Sequence, residues 1–413
     1  MLQHRHFAMF VLVTHATAAM AQSSPATEPP PAAEPPGEPT FEPEHVGGAK
    51  PATPNAGASG DDGAMTLDRL VITSTSRLDL NFFGDVSLQQ LKDEKASAAV
   101  GDLGFQLTAH LAEGLVARTE FVMEVDNGET AVDVERAYLE YRTNHWMIAA
   151  GRTHAELGYW NTAFHHGRWL QLTIDRPRVL RFEDEGGVLQ VHSVGVDVAY
   201  GPARGDSGLE VAVALSNGSG PTRVGIQTNR DDNWEKSLLV RIGAVGIGHP
   251  ALRFGINIGV DSIAPQDASV RPLLPDQAIF ELVTGAYLAL RSEGLILFGE
   301  AYNILHHAGG KTWQFTDGFL VAGYRFGRFI PYAEFEARQG DGLSDPYFNP
   351  GPAAGSESVP PANFIEGTAG LRYDLSSWSA LKLELAANRF DVAMDPGRSV
   401  SGYRAAVNWS FGR

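Results

Sequence analysis

Residues capable of chemistry crowd into one twelve-residue stretch, GYWNTAFHHGRW, from Gly158 to Trp169. It places Tyr159, Trp160, Asn161, two adjacent histidines (His165 and His166), Arg168 and Trp169 close together with no obvious period. His154 and Glu156 stand just upstream, and a second adjacent pair, His306 and His307, lies far along the chain. Imidazoles with a carboxylate suit zinc or another divalent ion. Side chains of adjacent residues diverge on an extended backbone, however, so one ion would need both histidine pairs brought together by the fold. The metal reading therefore takes His165, His166, His306 and His307 as candidate ligands. The competing reading has no resident cofactor and makes these residues polar lining at the mouth of something hollow.

Other catalytic signatures are missing from the sequence. There is no GxSxG nucleophile elbow, no HExxH helix and no phosphate-cradling glycine loop. An enzyme is not the expectation. With no cysteine, neither a disulfide framework nor a thiolate metal site is available. A net charge of −17 argues against nucleic acid as a partner.

The elements that must position the cluster follow from the pattern along the chain. Residues 1–21 have a polar start carrying Arg5, an apolar middle and an Ala19-Met20-Ala21 end, the layout of a cleavable export signal. Residues 22–64 hold ten of the 24 prolines and almost no large apolar side chains, which predicts an extended, disordered periplasmic linker. Residues 65–78 form a short β-prone lead-in. From residue 79 to the end, 413, apolar and polar residues alternate. Leu103, Phe105, Leu107, Ala109 and Leu111 point one way, for example, and Asp102, Gln106, Thr108 and His110 the other.

About sixteen such segments can be counted, among them 79–90, 146–151, 186–200, 294–305 and 401–411. The connectors between them are expected to alternate strictly between tight turns and loose loops such as 152–185, 218–235, 263–277, 339–363 and 391–400. A soluble sandwich would bury the charged face of these strands at several kcal/mol per unpaired ion, on the order of the desolvation cost. A barrel spanning a membrane turns the apolar face to lipid and the polar face to water. The expected fold is therefore all-β, a transmembrane antiparallel β-barrel of about sixteen strands in the outer membrane. GYWNTAFHHGRW then falls in the third outside loop, which is too aromatic to wave in water and is expected to fold inward.

On ERAYLEYRTNHWMIAAGR (135–152), LEVAVALSNG (209–218) and the alternating Tyr403, Ala405, Val407, Trp409, Phe411 close, the chain resembles bacterial outer-membrane porins, in particular 16-stranded ones of the phosphate-selective type. The resemblance implies a channel for small hydrophilic solutes or ions, with outer-membrane lipid around it and a homotrimer as its assembly. It also implies that the third loop forms the constriction, with Tyr159, Trp160, Asn161, His165, His166, Arg168, Trp169, Arg176, Arg178 and Arg181 at or near it. The loop has arginines but no lysine and ends in Glu183, Asp184 and Glu185, so phosphate is not expected as the solute. Period two puts Arg118, Glu120, Arg136, Glu140, Arg253, Glu334, Glu336, Arg372 and Lys382 on the pore wall.

A different mechanism is suggested by LDRLVITSTSR, Leu67 to Arg77, which resembles the energy-coupling box of TonB-dependent receptors. That box would contact TonB by adding a strand to its sheet. With the histidines, it frames the alternative of a TonB-coupled or zinc-responsive uptake receptor on a plugless barrel.

Overall fold

The computed structural model describes residues 77–126, 129–164, 167–181, 187–203, 205–220, 233–341, 344–349, 363–391 and 398–413. The expected export signal, the expected linker and all of the expected lead-in before Arg77 lie outside these residues, as do His165, His166 and the Glu183-Asp184-Glu185 run.

Sixteen strands appear in chain order. They are β1 (Arg77–Leu91), β2 (Ser97–Ala112), β3 (Leu115–Asp126), β4 (Glu129–Arg142), β5 (Trp146–His154), β6 (His192–Tyr200), β7 (Gly208–Ser216) and β8 (Ser237–Val245) in the first half. The second half adds β9 (Leu252–Ile263), β10 (Ile279–Arg291), β11 (Leu295–Ala308), β12 (Lys311–Tyr324), β13 (Phe329–Gly340), β14 (Phe364–Ser376), β15 (Ser379–Asp391) and β16 (Ser399–Gly412). Each pairs antiparallel with its chain neighbours, and β1 closes on β16 from Phe83↔Gly412 to Leu91↔Arg404. Closure leaves no unpaired strand edge. No helix is long and apolar enough to cross a membrane.

The alternation read from the sequence becomes an inside and an outside. Leu80, Leu209 and Leu385 are 65%, 64% and 65% exposed, whereas Gln106, Asn257 and Asn408 are at most 1% exposed. A water-soluble fold has the opposite polarity. Toward the rim that carries the short turns, outward aromatics form a belt in which Trp146 meets Tyr200 at 4.9 Å and Phe329 meets Tyr373 at 4.7 Å. Amphipathic rings of this kind favour a lipid–water boundary.

Three expectations are corrected. First, the turns do not alternate strictly between tight and loose: β1–β2 and β11–β12 connect tightly at the same rim as the long loops. The β11–β12 turn is Gly309-Gly310, with φ of 57° and 73°, a conformation that lets two residues close a hairpin and that L side chains resist. His306 and His307, which lie past the end of the expected 294–305 segment, are therefore on β11. Second, β6 begins at His192 rather than 186, because Val188 and Leu189 are buried in the apolar cluster instead of continuing the wall. Third, the inner face is not uniformly polar. Val283, Tyr287, Phe298, Tyr302 and Phe319 occupy inward positions on β10, β11 and β12 and need an apolar partner.

Candidate functional site

That partner is the connector 155–191 between β5 and β6. Its Leu157, Trp160, Phe164, Leu170, Leu172, Val179, Leu180 and Leu189 share one apolar cluster with the inward residues of β10 to β13. Trp160 meets Phe164, Phe298 and Phe319 edge-on at 4.8, 5.7 and 5.4 Å, the geometry that ring quadrupoles favour. Fully burying one such apolar side chain stabilises by about 1.5–3 kcal/mol. The aromatics of the opening motif thus hold the connector in place.

Polar contacts fix its course. The short helix Trp160–Ala163 begins where the Tyr159 and Trp160 amides donate to Glu300 Oε1 at 2.7 and 2.6 Å, while Tyr302 donates its hydroxyl to Oε2 at 2.5 Å. Asn161, fully buried, donates to the carbonyls of Ala155 and Val191 at 3.0 and 2.9 Å and ties the two stems together. Further along, Lys382 donates to the carbonyls of Arg168 and Thr173, and Glu384 accepts the Ile174 amide at 2.5 Å. Arg372 donates to the Gln171 carbonyl at 2.6 Å.

The loop arginines are paired. Arg168 lies 3.0 Å from Asp85, and Arg178 lies 2.8 Å from Glu366 while its amide donates to Glu336 at 2.5 Å. Arg181 sits 3.8 Å from Asp175 and Arg176 donates to Asn161 at 3.2 Å. Asp175 also meets Arg404 at 2.6 Å. Burial alone would raise the Asp175 carboxyl, but Arg404 and Arg181 override it and hold the group at about 2.

Of the expected constriction residues, Trp160, Asn161 and Trp169 are buried, which makes them anchors. Arg168, Arg178 and Arg181 keep a quarter to a third of their side chains open, at 26%, 30% and 25%. Tyr159 is half-buried and stacks on Phe298 at 6.2 Å. His165 and His166 lie outside the described residues.

The expected wall residues all carry inward contacts or burial. Arg136 pairs with Glu120, and Glu140 takes Arg142 at 2.8 Å. Arg118 rests on the Tyr138 ring at 5.8 Å and donates to its hydroxyl at 3.1 Å. Arg253 approaches Glu210 at 3.6 Å, and Glu334 is buried on β13. Asp85, Glu300, Glu366, Glu384 and Arg404 were not among the expected site residues although they stand in the inward phase of their strands. Nothing local distinguishes them until the connector arrives.

The second histidine pair does not converge. His306 is fully buried between Glu281 on Nε2 at 2.9 Å and Asp345 on Nδ1 at 2.7 Å, with Tyr347 and Phe348 packed on its ring. His307 is exposed on the other face of β11, near the Thr312 hydroxyl at 3.0 Å. Among the described residues no group of three or more His, Asp or Glu is arranged to hold a metal ion.

The closed barrel has counterparts among known structures. The anion-selective porin of Comamonas acidovorans superposes with a TM-score of 0.55 at 12% identity, over 81% of this chain and 100% of that one. The outer-membrane channel DcaP of Acinetobacter baumannii gives 0.53 at 13% identity, over 82% and 97%, and OmpF of Salmonella typhi 0.51 at 13%, over 81% and 97%. The fold is that of the bacterial outer-membrane porins. At these identities the likeness is one of architecture. No family model matches the sequence, and no curated protein does.

Within this porin-like barrel the chemistry available is electrostatic. Polar and charged side chains line the inner face, and partly open guanidinium groups stand on a connector that crosses in front of glutamates. Such an arrangement orients water and small solutes by its field.

Proposed function

We propose that the protein is a channel in the outer membrane for small hydrophilic solutes or ions, and that the connector 155–191 sets its selectivity. The observation that carries this reading is the hydrogen-bonding of that connector to Glu300, Glu336 and Glu384 on the inward faces of three different strands, β11, β13 and β15. A segment held there narrows a lumen that sixteen strands would otherwise leave wide. The partly open Arg168, Arg178 and Arg181 are then what a passing solute meets. The mixed signs around them favour modest selectivity.

Purified protein in a planar bilayer should conduct ions with no energy source, and shortening the connector between Phe164 and Val188 should raise the unit conductance. A protein that inserts into the bilayer and conducts nothing would sink this reading. Conductance unchanged by the deletion would remove the connector from it.

A further inference from the structure

The outward face of the barrel is not apolar all the way round. Residues opposite one another across the ladders from β10 to β13 form one continuous row, Thr284, Asn303, Thr316 and Gln339, in which every member is polar and uncharged. Their chain neighbours Val283, Tyr302, Asp317 and Arg338 are buried on the inside, so the row stands on the side that elsewhere carries Leu80, Leu209 and Leu385. Gln314 joins it by donating to Asn303 Oδ1 at 2.5 Å, and the Thr316 hydroxyl donates to the same oxygen at 3.3 Å. Among the described residues, Asn303 Nδ2 and the exposed Gln339 side chain have no hydrogen-bond partner.

The next row toward the short-turn rim is Ala286, Ala301, Gly318 and Ala337. These rows do not mark where the strands leave the membrane. Toward the long-loop rim, Leu282 and Phe280 follow Thr284 on the outward face and Leu305 follows Asn303, apolar again. On the adjoining strand, β9 sets Ile258 beside Thr284 and Ile256 beside Ala286, the composition of an ordinary lipid-facing wall.

Hydrocarbon offers an amide neither donor nor acceptor, so polar side chains at membrane depth face protein or water. A lipid phosphate would call for cations, and the row has none. Amides and hydroxyls both donate and accept, which makes such a surface its own complement, and the small residues beside it let two walls approach closely. Four strands about 4.8 Å apart span about 19 Å, and over an apolar band about 25 Å tall they offer about 500 Å² a side, or about 1,000 Å² in all, the threshold for a specific interface.

We propose that the outer wall of β10 to β13 is a self-association surface, on which a second copy of this chain docks through Asn303, Gln314 and Thr316. The porin resemblance implies an assembly without saying which wall builds it, and this row picks out the wall. The contact does not depend on what the pore conducts. On the inner side the same strands hold the connector 155–191 through Phe298, Tyr302 and Phe319, so docking braces the wall that positions it.

Cross-linking of the full-length protein in outer membranes tests this, and it is specific because the chain has no cysteine of its own. Ala301→Cys treated with a bifunctional thiol reagent should give a product of twice the chain mass. Thr119→Cys, outward on β3 and eight strands away, should stay single. Independently, Asn303→Leu combined with Gln314→Leu, which suits lipid better than the native pair, should shift the mass of the detergent-solubilised protein from more than one copy to one. A single-copy mass for the unaltered protein overturns the proposal, as does an assembly that the double substitution leaves whole. So does a cross-link at Thr119→Cys but none at Ala301→Cys, or an Ala301→Cys product whose mass is not a multiple of the chain. The single-cysteine proteins decide the matter even if the double variant fails to insert.

Discussion

Glu336 on β13 and Glu366 on β14 stand directly opposite one another in the sheet, and Arg178 of the β5–β6 connector serves both. Like charges directly across a strand pair repel. The connector brings the counter-ion, through its backbone amide to one glutamate and its guanidinium to the other. The wall and the connector therefore depend on each other.

Arg178→Ala should expose that repulsion. The barrel is expected to lose about 1–3 kcal/mol, the cost of leaving a mostly buried carboxylate without its donor. The temperature at which unheated barrel shifts to its denatured gel mobility reads the loss. Adding Glu366→Gln to the variant should recover part of the stability, and no recovery would mean that the two glutamates are not in conflict.

Glu300 fixes the start of the helix Trp160–Ala163 through two amides. Glu300→Ala should free this stretch, giving larger and noisier single-channel currents. Glu300→Gln, which keeps an acceptor oxygen, should be nearer to wild type. Identical, quiet currents from all three proteins would show that this anchor does not control the pore.

Asp175 gives a pH dependence with a definite sign. Its carboxyl titrates at about 2 in the folded barrel against 3.8 for a free aspartate, held down, despite burial, by Arg404 and Arg181. A depressed carboxyl stabilises above its unfolded value, and the contribution fades as pH falls from about 4 toward 2. Current noise should rise across that window in the wild type. Asp175→Asn should already be noisy at neutral pH and change less on acidification.

Leu385 points outward at the middle of β15. Leu385→Arg should cost about 2–4 kcal/mol, the value for a cation on the lipid face near the bilayer midplane. Refolding yield into lipid vesicles measures it. Wild-type yield would contradict the assignment of this face to lipid.

Period-two alternation determined the barrel. Leu80, Leu209 and Leu385 face out because the side chains of a strand change face at every residue, and that rule needs only the order of residues. The sixteen segments and their outward and inward phases were therefore legible, down to inward positions as distant as Arg118 and Lys382. What each inward charge does was not. Arg168, Arg178 and Arg181 read as open selectivity groups, yet they pair with Asp85, Glu366 and Asp175, the first two of which are far away in sequence. His306 and His307 read as a pair, yet β11 sends them to opposite faces.

The aromatic stretch from Tyr159 to Trp169 shows the same division. Its composition announced that it would not stay in water, because burying rings is worth more than leaving them solvated. The surface that receives them, Phe298 and Phe319 among others, lies on strands that the chain reaches more than a hundred residues later. Local order fixes which way a side chain points. Only closure of the barrel decides what it meets there.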